Sequence, residues 1–280
     1  MSPTAVPSAT ERSGDPLWDV LVGTYVALLG TPVVLLAATR LGVRTPGLLY
    51  GTTVTALALI TGLGWRAAAR RPRLAVRLGS TPVRWLPGAA PVPYALGGFA
   101  SLAATGVVGV LAFFFGLGAL VLGFVLGVMA RTRHTDARLD GVETDATFEA
   151  GWPAAARRRL GLAVGAVVVV AAVCFAVGFL ADRWLLQSAG QILFPAALVL
   201  YSSTAQRHYT VSAAGLEQRL PVARRLWSWA RFAGYTRTSD ALVLHRPRRV
   251  DIRLALADLD DPDAVEDAIA RYLRASEPRR

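Results

Sequence analysis

Long uncharged apolar runs alternate with arginine-rich segments along this chain. The longest run covers residues 85–130, where 46 consecutive residues include no charged side chain. Since a bilayer core of roughly 30 Å needs about 20 apolar residues in a helix, such runs indicate membrane spans. The pattern predicts an α-helical polytopic membrane protein of about six transmembrane helices. We place them at residues 17–38, 47–65, 93–110, 113–130, 160–181 and 186–204.

The run at residues 85–130 is too long for one span. Three prolines, Pro87, Pro91 and Pro93, open the run, so the helix is expected to begin near Pro93 with that residue in its first turn. A helix over residues 93–130 would be about 57 Å long at 1.5 Å per residue, an excess that tilting cannot absorb. We therefore predict two spans, joined by a turn near residues 110–114 or 116–118.

The distribution of arginine predicts the topology. Residues 66–84 and 131–159 each contain six arginines, whereas the connections at 40–46 and 182–183 contain three together. Cytoplasmic loops collect arginine and lysine, so both rich segments should be cytoplasmic, and an even number of spans must separate them. We expect a multi-pass protein of the cell membrane with both termini in the cytoplasm.

The composition fits this assignment. The net charge is +11 and all thirty basic residues are arginine. So basic a chain would suggest nucleic acid, but the arginines of cytoplasmic loops account for the charge, and the expected partner is the lipid bilayer. Residues 1–16 are read as a disordered tail without the basic region or cleavage site of a signal peptide, so the first span should be retained. Residues 276–280 form a second tail.

Residues 207–275 have the pattern of a small cytoplasmic α+β domain. Short strand-like runs occur throughout, and residues 250–256 alternate apolar and polar side chains with a period of two. Asp261 and Pro262 then resemble the N-cap and first position of a helix. The pattern predicts antiparallel strands capped by one helix, and we expect residues 207–280 to fold alone.

This segment resembles the bacterial PH-like domains that are appended to small membrane proteins. The residues that carry the likeness are Tyr209-Thr210-Val211-Ser212, Gly215-Leu216, residues 227–235, residues 241–245 and Asp261-Pro262. The resemblance covers about 70 of 280 residues and implies a fold but no catalytic set. The lysine-free, six-span layout is also similar to prokaryotic, haloarchaeal membrane proteins, although their soluble surfaces are usually acidic and this one is basic.

Two groups of residues are candidates for contacts. Arg66, Arg70, Arg73 and Arg77 are spaced 4, 3 and 4 apart, as on one helical face that could lie on anionic lipid, although Pro72 prevents one continuous helix. The alternative is an ordinary arginine-rich flank. The pairs Gly123/Gly127 and Gly161/Gly165 have GxxxG spacing, which allows close helix packing within one chain or in a homo-oligomer.

No catalytic, cofactor-binding or metal-binding motif is found. The three histidines are scattered, and the acids at 258–267 fit the first turn of a helix. The acids at 136–149 are interpreted as a solvated loop or short helix, with a catalytic site at the membrane surface as the alternative.

Three functional hypotheses follow. The preferred one is a non-enzymatic membrane protein that presents a PH-like interaction or scaffolding domain, binding a protein partner or anionic lipid. The first alternative is a transporter or channel-like subunit with a regulatory soluble domain; no ionisable group lies within the spans except near their ends, which disfavours proton coupling. The second alternative is a membrane enzyme acting on lipid.

Overall fold

Among the residues that the computed structural model describes, five helices are long and apolar enough to cross a membrane. The structure describes residues 15–101, 104, 106–202, 205–220 and 223–275. The five helices are α1 (Pro16–Arg40), α2 (Pro46–Ala69), α6 (Val107–Leu139), α7 (Ala154–Leu180) and α8 (Trp184–Ser202). The chain divides into two compact units; the first ends at Asp140 and the second contains the rest, except that residues 222–224 belong to the first.

In the first unit, α1 and α2 form an antiparallel hairpin. Asp15 caps α1 by accepting a hydrogen bond from the backbone N–H of Leu17 at 2.9 Å, and Pro16 occupies the first position, where a missing N–H costs nothing. The two helices cross closely at glycine, because a Cβ added to Gly64 would lie 2.8 Å from the Cα of Gly23. Small residues thus bring the two backbones into contact.

The third element of this unit is a broken helical arm. It consists of α3 (Leu74–Ser80), a 3₁₀ turn (Pro82–Trp85), α4 (Leu86–Ala89) and α5 (Val92–Ala100). Prolines interrupt it, since each removes a backbone donor and blocks continuation of the preceding turn. The arm therefore forms short helices, and only α5 overlaps the span predicted at residues 93–110.

The arm packs antiparallel along α6. A Cβ added to Gly116 would lie 2.7 Å from the backbone nitrogen of Ala95, and one added to Gly127 would lie 2.7 Å from the carbonyl oxygen of Arg84. The arm and α6 therefore run in opposite directions. The arginines at the start of the arm and those in the last turns of α6 therefore lie near one another, at the same end of this antiparallel pair.

The predicted position of the hairpin turn is wrong. Helix α6 is continuous for 33 residues and runs through both proposed turns at 110–114 and 116–118. The chain instead reverses between α5 and α6, and Gly106, at the start of α6, has a φ of 54° in the left-handed region that favours glycine. Gly116 lies inside the helix and gives its backbone close access to the arm, whereas a Cβ on Gly118 would lie 3.4 Å from the side chain of Leu28. The predicted spans 93–110 and 113–130 consequently become α5 and a longer α6.

The second unit joins a helical hairpin to seven strands. Strand β1 (Thr144–Ala150) precedes α7 and α8, and β2 (Arg207–Ser212) follows them. The two strands are antiparallel neighbours, with Ala150 opposite Arg207. The predicted domain boundary at 207 is therefore wrong, because the domain takes its first strand from before the hairpin. The acids at 145 and 149 lie on this strand rather than in the solvated loop or short helix expected there.

The remaining strands complete two antiparallel sheets. They are β3 (Gly215–Leu220), β4 (Ala223–Trp227), β5 (Gly234–Arg237), β6 (Ala241–His245) and β7 (Ile252–Ala255). The first four strands form one sheet in sequential order and the last three form the other. Helix α9 (Pro262–Ala270) follows, and Asp261 caps it by accepting from the N–H of Ala264 at 3.0 Å. The predicted antiparallel domain with one C-terminal helix is confirmed in this coarse form.

One hydrophobic core connects both sheets and α9. It includes Phe148, Tyr209, Leu216, Leu244 and Ile269, all buried. Alternating strand positions supply most of it, and α9 contributes one apolar face. Phe148 stacks on Tyr209 with ring centroids 5.6 Å apart, so β1 belongs to the core as well as to the sheet.

Candidate functional site

Trp227, at the end of β4, lines a concave, arginine-rich surface of the sheet domain. Its side chain is 4% exposed. Gly215 begins β3 with φ of 141°, and any Cβ there would overlap the carbonyl oxygen of Trp227. The glycine thus lets β4 approach closely and fixes the position of the indole.

Four arginines surround this indole. The guanidinium carbon of Arg225 lies 4.6 Å from the ring centroid, and that of Arg246 lies 5.8 Å away. Arg231 and Arg249 join them in lining a pocket of about 260 Å³, which we call the arginine pocket. A cation over an indole face is attracted by the ring quadrupole, so Trp227 helps to hold like charges close together.

The indole N–H of Trp227 is a buried donor without an acceptor. Within the described residues no hydrogen-bond partner contacts its Nε1 atom. Buried tryptophan N–H groups ordinarily find an acceptor, and each exception invites an explanation. A ligand that carries negative charge would contact the arginines that line the pocket beside this indole.

The loop between β6 and β7 is fixed by its own hydrogen bonds. Arg246 donates from Nε to the carbonyl oxygen of Val250 at 2.7 Å, and its backbone N–H donates to Asp251 at 2.9 Å. Arg248 turns the chain with φ of 58°. The loop therefore presents its arginines from a defined backbone rather than from a mobile tip.

The electrostatics of the arginine pocket favour an anion. Burial, followed by the positive charge of Arg249, lowers the pKa of Arg246, and Asp251 only partly opposes this. For Asp251 itself, burial acts to raise the pKa, but hydrogen bonds from the Arg246 N–H and His245 and the nearby positive charges lower it overall. A bound anion would relieve the repulsion among the arginines.

A Thr236–His245–Asp251 relay lies beside this loop. His245 is 2.9 Å from the hydroxyl of Thr236 through Nε2 and 3.1 Å from Asp251 through Nδ1. The order matches a nucleophile, base and orienting acid. However, Thr236 is buried within β5, and none of the cavities found in the described residues is lined by it. The relay holds the loop to the sheet.

The predicted arginine face does not form as one helical face. Arg66 lies near the end of α2, whereas Arg77 lies in α3, and Arg70 and Arg73 cap the break between them. Pro72 sits in this break and ends the helical spacing on which the prediction depended. All four side chains are exposed.

The predicted packing glycines divide into two groups. A Cβ on Gly123 would overlap the carbonyl oxygen of Pro87, and Gly127 likewise contacts the arm, so both lie in close packing within the chain. A Cβ on Gly161 would only touch the ring of Tyr201 at 4.0 Å, and one on Gly165 would meet nothing within 4 Å. The two glycine pairs thus have the same spacing in the sequence, but only Gly123 and Gly127 lie in close helix packing.

The acids at 136–149 interact with different partners. Asp136 pairs with Arg224, Asp145 accepts from Arg271 at 3.0 Å, and Glu149 lies 3.1 Å from His208. Among the described residues, no three His, Cys, Asp or Glu side chains come together as metal ligands. These acids therefore lie with separate partners rather than with one another.

Sequence reasoning missed the arginine pocket. Its signal is the local density of arginine at residues 224–225 and 246–249, each beside an apolar strand. These segments lie in different sheets, so their proximity depends on tertiary structure that spacing does not reveal. Comparison of the chain with protein-family models, with curated proteins and with solved structures finds no match, and function must be argued from these residues.

Proposed function

We propose that this chain is a non-enzymatic membrane protein whose PH-like sheet domain is an interaction module for anionic groups. The arginine pocket carries this proposal, because four arginine side chains line one concave surface beside Trp227. Phosphate and carboxylate groups provide the charge and acceptors that such donors bind. The module would recruit or hold a ligand bearing either group.

The PH-like assignment is supported by the strand arrangement. Seven antiparallel strands in two sheets precede one helix that packs on the core, which agrees with the resemblance of residues 207–275. The insertion of α7 and α8 between β1 and β2 places both soluble ends of the hairpin at the sheet. The domain is thus joined to the membrane by two chain segments rather than one flexible linker.

The proposed topology has six crossings and cytoplasmic termini. The apolar part of α6 is about 36 Å long at 1.5 Å per residue, enough to cross the bilayer. The arm contacts it from Gly127 to the level of Phe113, so the arm would cross as a broken span. Six crossings leave both arginine-rich segments on the cytoplasmic side, as the positive-inside rule requires.

The test uses the full-length protein in detergent and calorimetric titration with inositol hexakisphosphate. Replacing both Arg225 and Arg246 by Gln should weaken binding by at least tenfold, since charged hydrogen bonds contribute about 1.5–3 kcal/mol each. Arg237→Gln is the matched control, because this arginine pairs with Asp263 on the same domain but outside the pocket. Equal affinity of the double variant and the control would refute the proposal.

Transport and lipid chemistry are the competing functions. Flux of a solute through proteoliposomes that survives loss of the arginine pocket would favour a transporter. Conversion of a lipid that Asp136→Ala abolishes would favour an enzyme.

A further inference from the structure

A second surface lies where α7 joins the sheet domain, and its position is fixed by the short link after β1. The N–H of Gly151 donates to Asp258 at 2.8 Å, and the carbonyl oxygen of Gly151 accepts from the N–H of Ala255 at 3.1 Å. Gly151 and Pro153 are buried. The first turn of a membrane-length helix is therefore held firmly against β7.

A groove of about 560 Å³ follows this turn, and we call it the junction groove. Arg159, Arg253 and Asp240 line its polar part, and Leu160 and Ala163 line its apolar part. Arg159 and Ala163 are four residues apart and share one face of α7. Beyond Arg159 the lining becomes apolar within about 6 Å, one turn along the helix. Pro153, Ala155 and Ala156 line the groove before Arg159.

The polar part continues into a neighbouring cleft of about 410 Å³. Arg253 lines both spaces, and Trp152, Arg249 and Val250 line the cleft. Trp152 is 39% exposed and Val250 is 76% exposed. Exposed tryptophan beside the first turn of an apolar helix is typical of the headgroup level of a bilayer.

The carboxylates near the junction groove have donors of their own. Asp251 accepts from the backbone of Arg246 and from His245, and Asp240 accepts from the hydroxyl of Thr238 at 3.0 Å. Within the described residues, the salt bridges of this domain involve neither Arg159 nor Arg253. The positive charge of Arg253 acts on Asp251 and lowers its pKa, but Arg253 forms no salt bridge with it, so both guanidiniums can contact a negative group from outside.

We propose that the junction groove binds one anionic phospholipid. Its phosphate lies between Arg159 and Arg253, and the start of an acyl chain lies along Leu160 and Ala163. A free phosphate would use only the cationic part, whereas a phospholipid matches both parts and their order along α7. This site depends on α7 entering the membrane and not on the arginine pocket, so each can fail alone.

The experiment measures lipid binding by native mass spectrometry of the full-length protein released from mixed micelles. Phosphatidylglycerol should bind at least tenfold more tightly than phosphatidylcholine. The R159Q/R253Q double variant should lose this preference, whereas Arg158→Gln, one residue along and outside the groove, should retain it. Both altered side chains are exposed, and a melting temperature near the unaltered value confirms that the double variant folds.

Two further measurements distinguish binding of a lipid from binding of a free anion. Ala163→Trp should fill the apolar part and weaken phosphatidylglycerol binding about tenfold, while inorganic phosphate at millimolar concentration should not displace the lipid. Displacement by phosphate, or equal lipid preference in R159Q/R253Q and R158Q, would overturn the proposal.

Discussion

The sheet domain should require β1, and Phe148 allows this to be tested quantitatively. Phe148 is 8% exposed and lies opposite Tyr209 in the β1–β2 register. Its ring stacks on that tyrosine at an interplanar angle of 18°. Removing a buried phenylalanine side chain costs about 3–5 kcal/mol, from lost transfer free energy and the remaining cavity. Domain stabilities are about 5–15 kcal/mol, so Phe148→Ala should remove a large fraction.

The assay uses a soluble chain that omits the hairpin. Residues 141–152 are joined to residues 205–275 by a short Gly/Ser linker, which suffices because Ala150 and Arg207 are opposite each other. Urea unfolding followed by circular dichroism gives the free energy of unfolding with and without Phe148→Ala. A chain of residues 207–275 alone should lack a cooperative transition, contrary to the expectation from the sequence.

The matched control is Glu149→Ala, on the opposite face of the same strand. Glu149 faces an exposed His208, and such surface pairs contribute at most about 1 kcal/mol. If Phe148→Ala costs no more than this control, or if residues 207–275 unfold cooperatively with the same stability, then β1 is not part of the core and the reasoning is refuted.

Three other outcomes are expected. Gly123→Ala should lower the melting temperature of the purified protein, since overpacking costs about 1–3 kcal/mol, whereas Gly165→Ala, which meets nothing within 4 Å, should not. Gly215→Ala should displace Trp227 and shift its indole N–H resonance; an unchanged resonance would contradict the role of this glycine. The lowered pKa of Asp251 means that its stabilising contribution is present above the unfolded pKa of about 3.9. That contribution should be lost as pH falls through the lower folded pKa. Asp251→Asn should remove this acid-dependent part of the unfolding free energy, and an identical pH profile in the variant would exclude it.

The membrane helices were predictable because hydrophobicity is a local property of the sequence. A run such as residues 160–181 must avoid water wherever the rest of the chain lies, and α7 covers most of it. The antiparallel order of the arm and α6 agrees with the hairpin expected at residues 85–130, whereas the two crossings stay a prediction. The position of the turn was not predictable, because the run contains no Asn or Asp, and Ser101 and Gly106 lie among many other small residues.

Strand β1 and the arginine pocket depend on distant partners. Of the seven β1 side chains, only Phe148 and Ala150 are buried, so the sequence of this strand resembles that of a polar loop. Its partner strand, β2, follows only after two helices. The arginine pocket is lined by residues of β4 and of the β6–β7 loop. No periodic pattern in the sequence indicates that these two segments lie close together. Helix α9 was predictable, by contrast, because Asp261, Pro262 and its apolar face are all local signals.

The placement of α7 and α8 between two paired strands links membrane insertion to folding of the soluble domain. Strand β1 is synthesised first and can pair with β2 only if both emerge on the same face of the bilayer. That condition is met when both helices have crossed and fails when only one has. The sheet is therefore completed only when the hairpin has inserted correctly. In a wrongly inserted chain, the aromatic core residues Phe148 and Tyr209 would stay open to quality-control proteases.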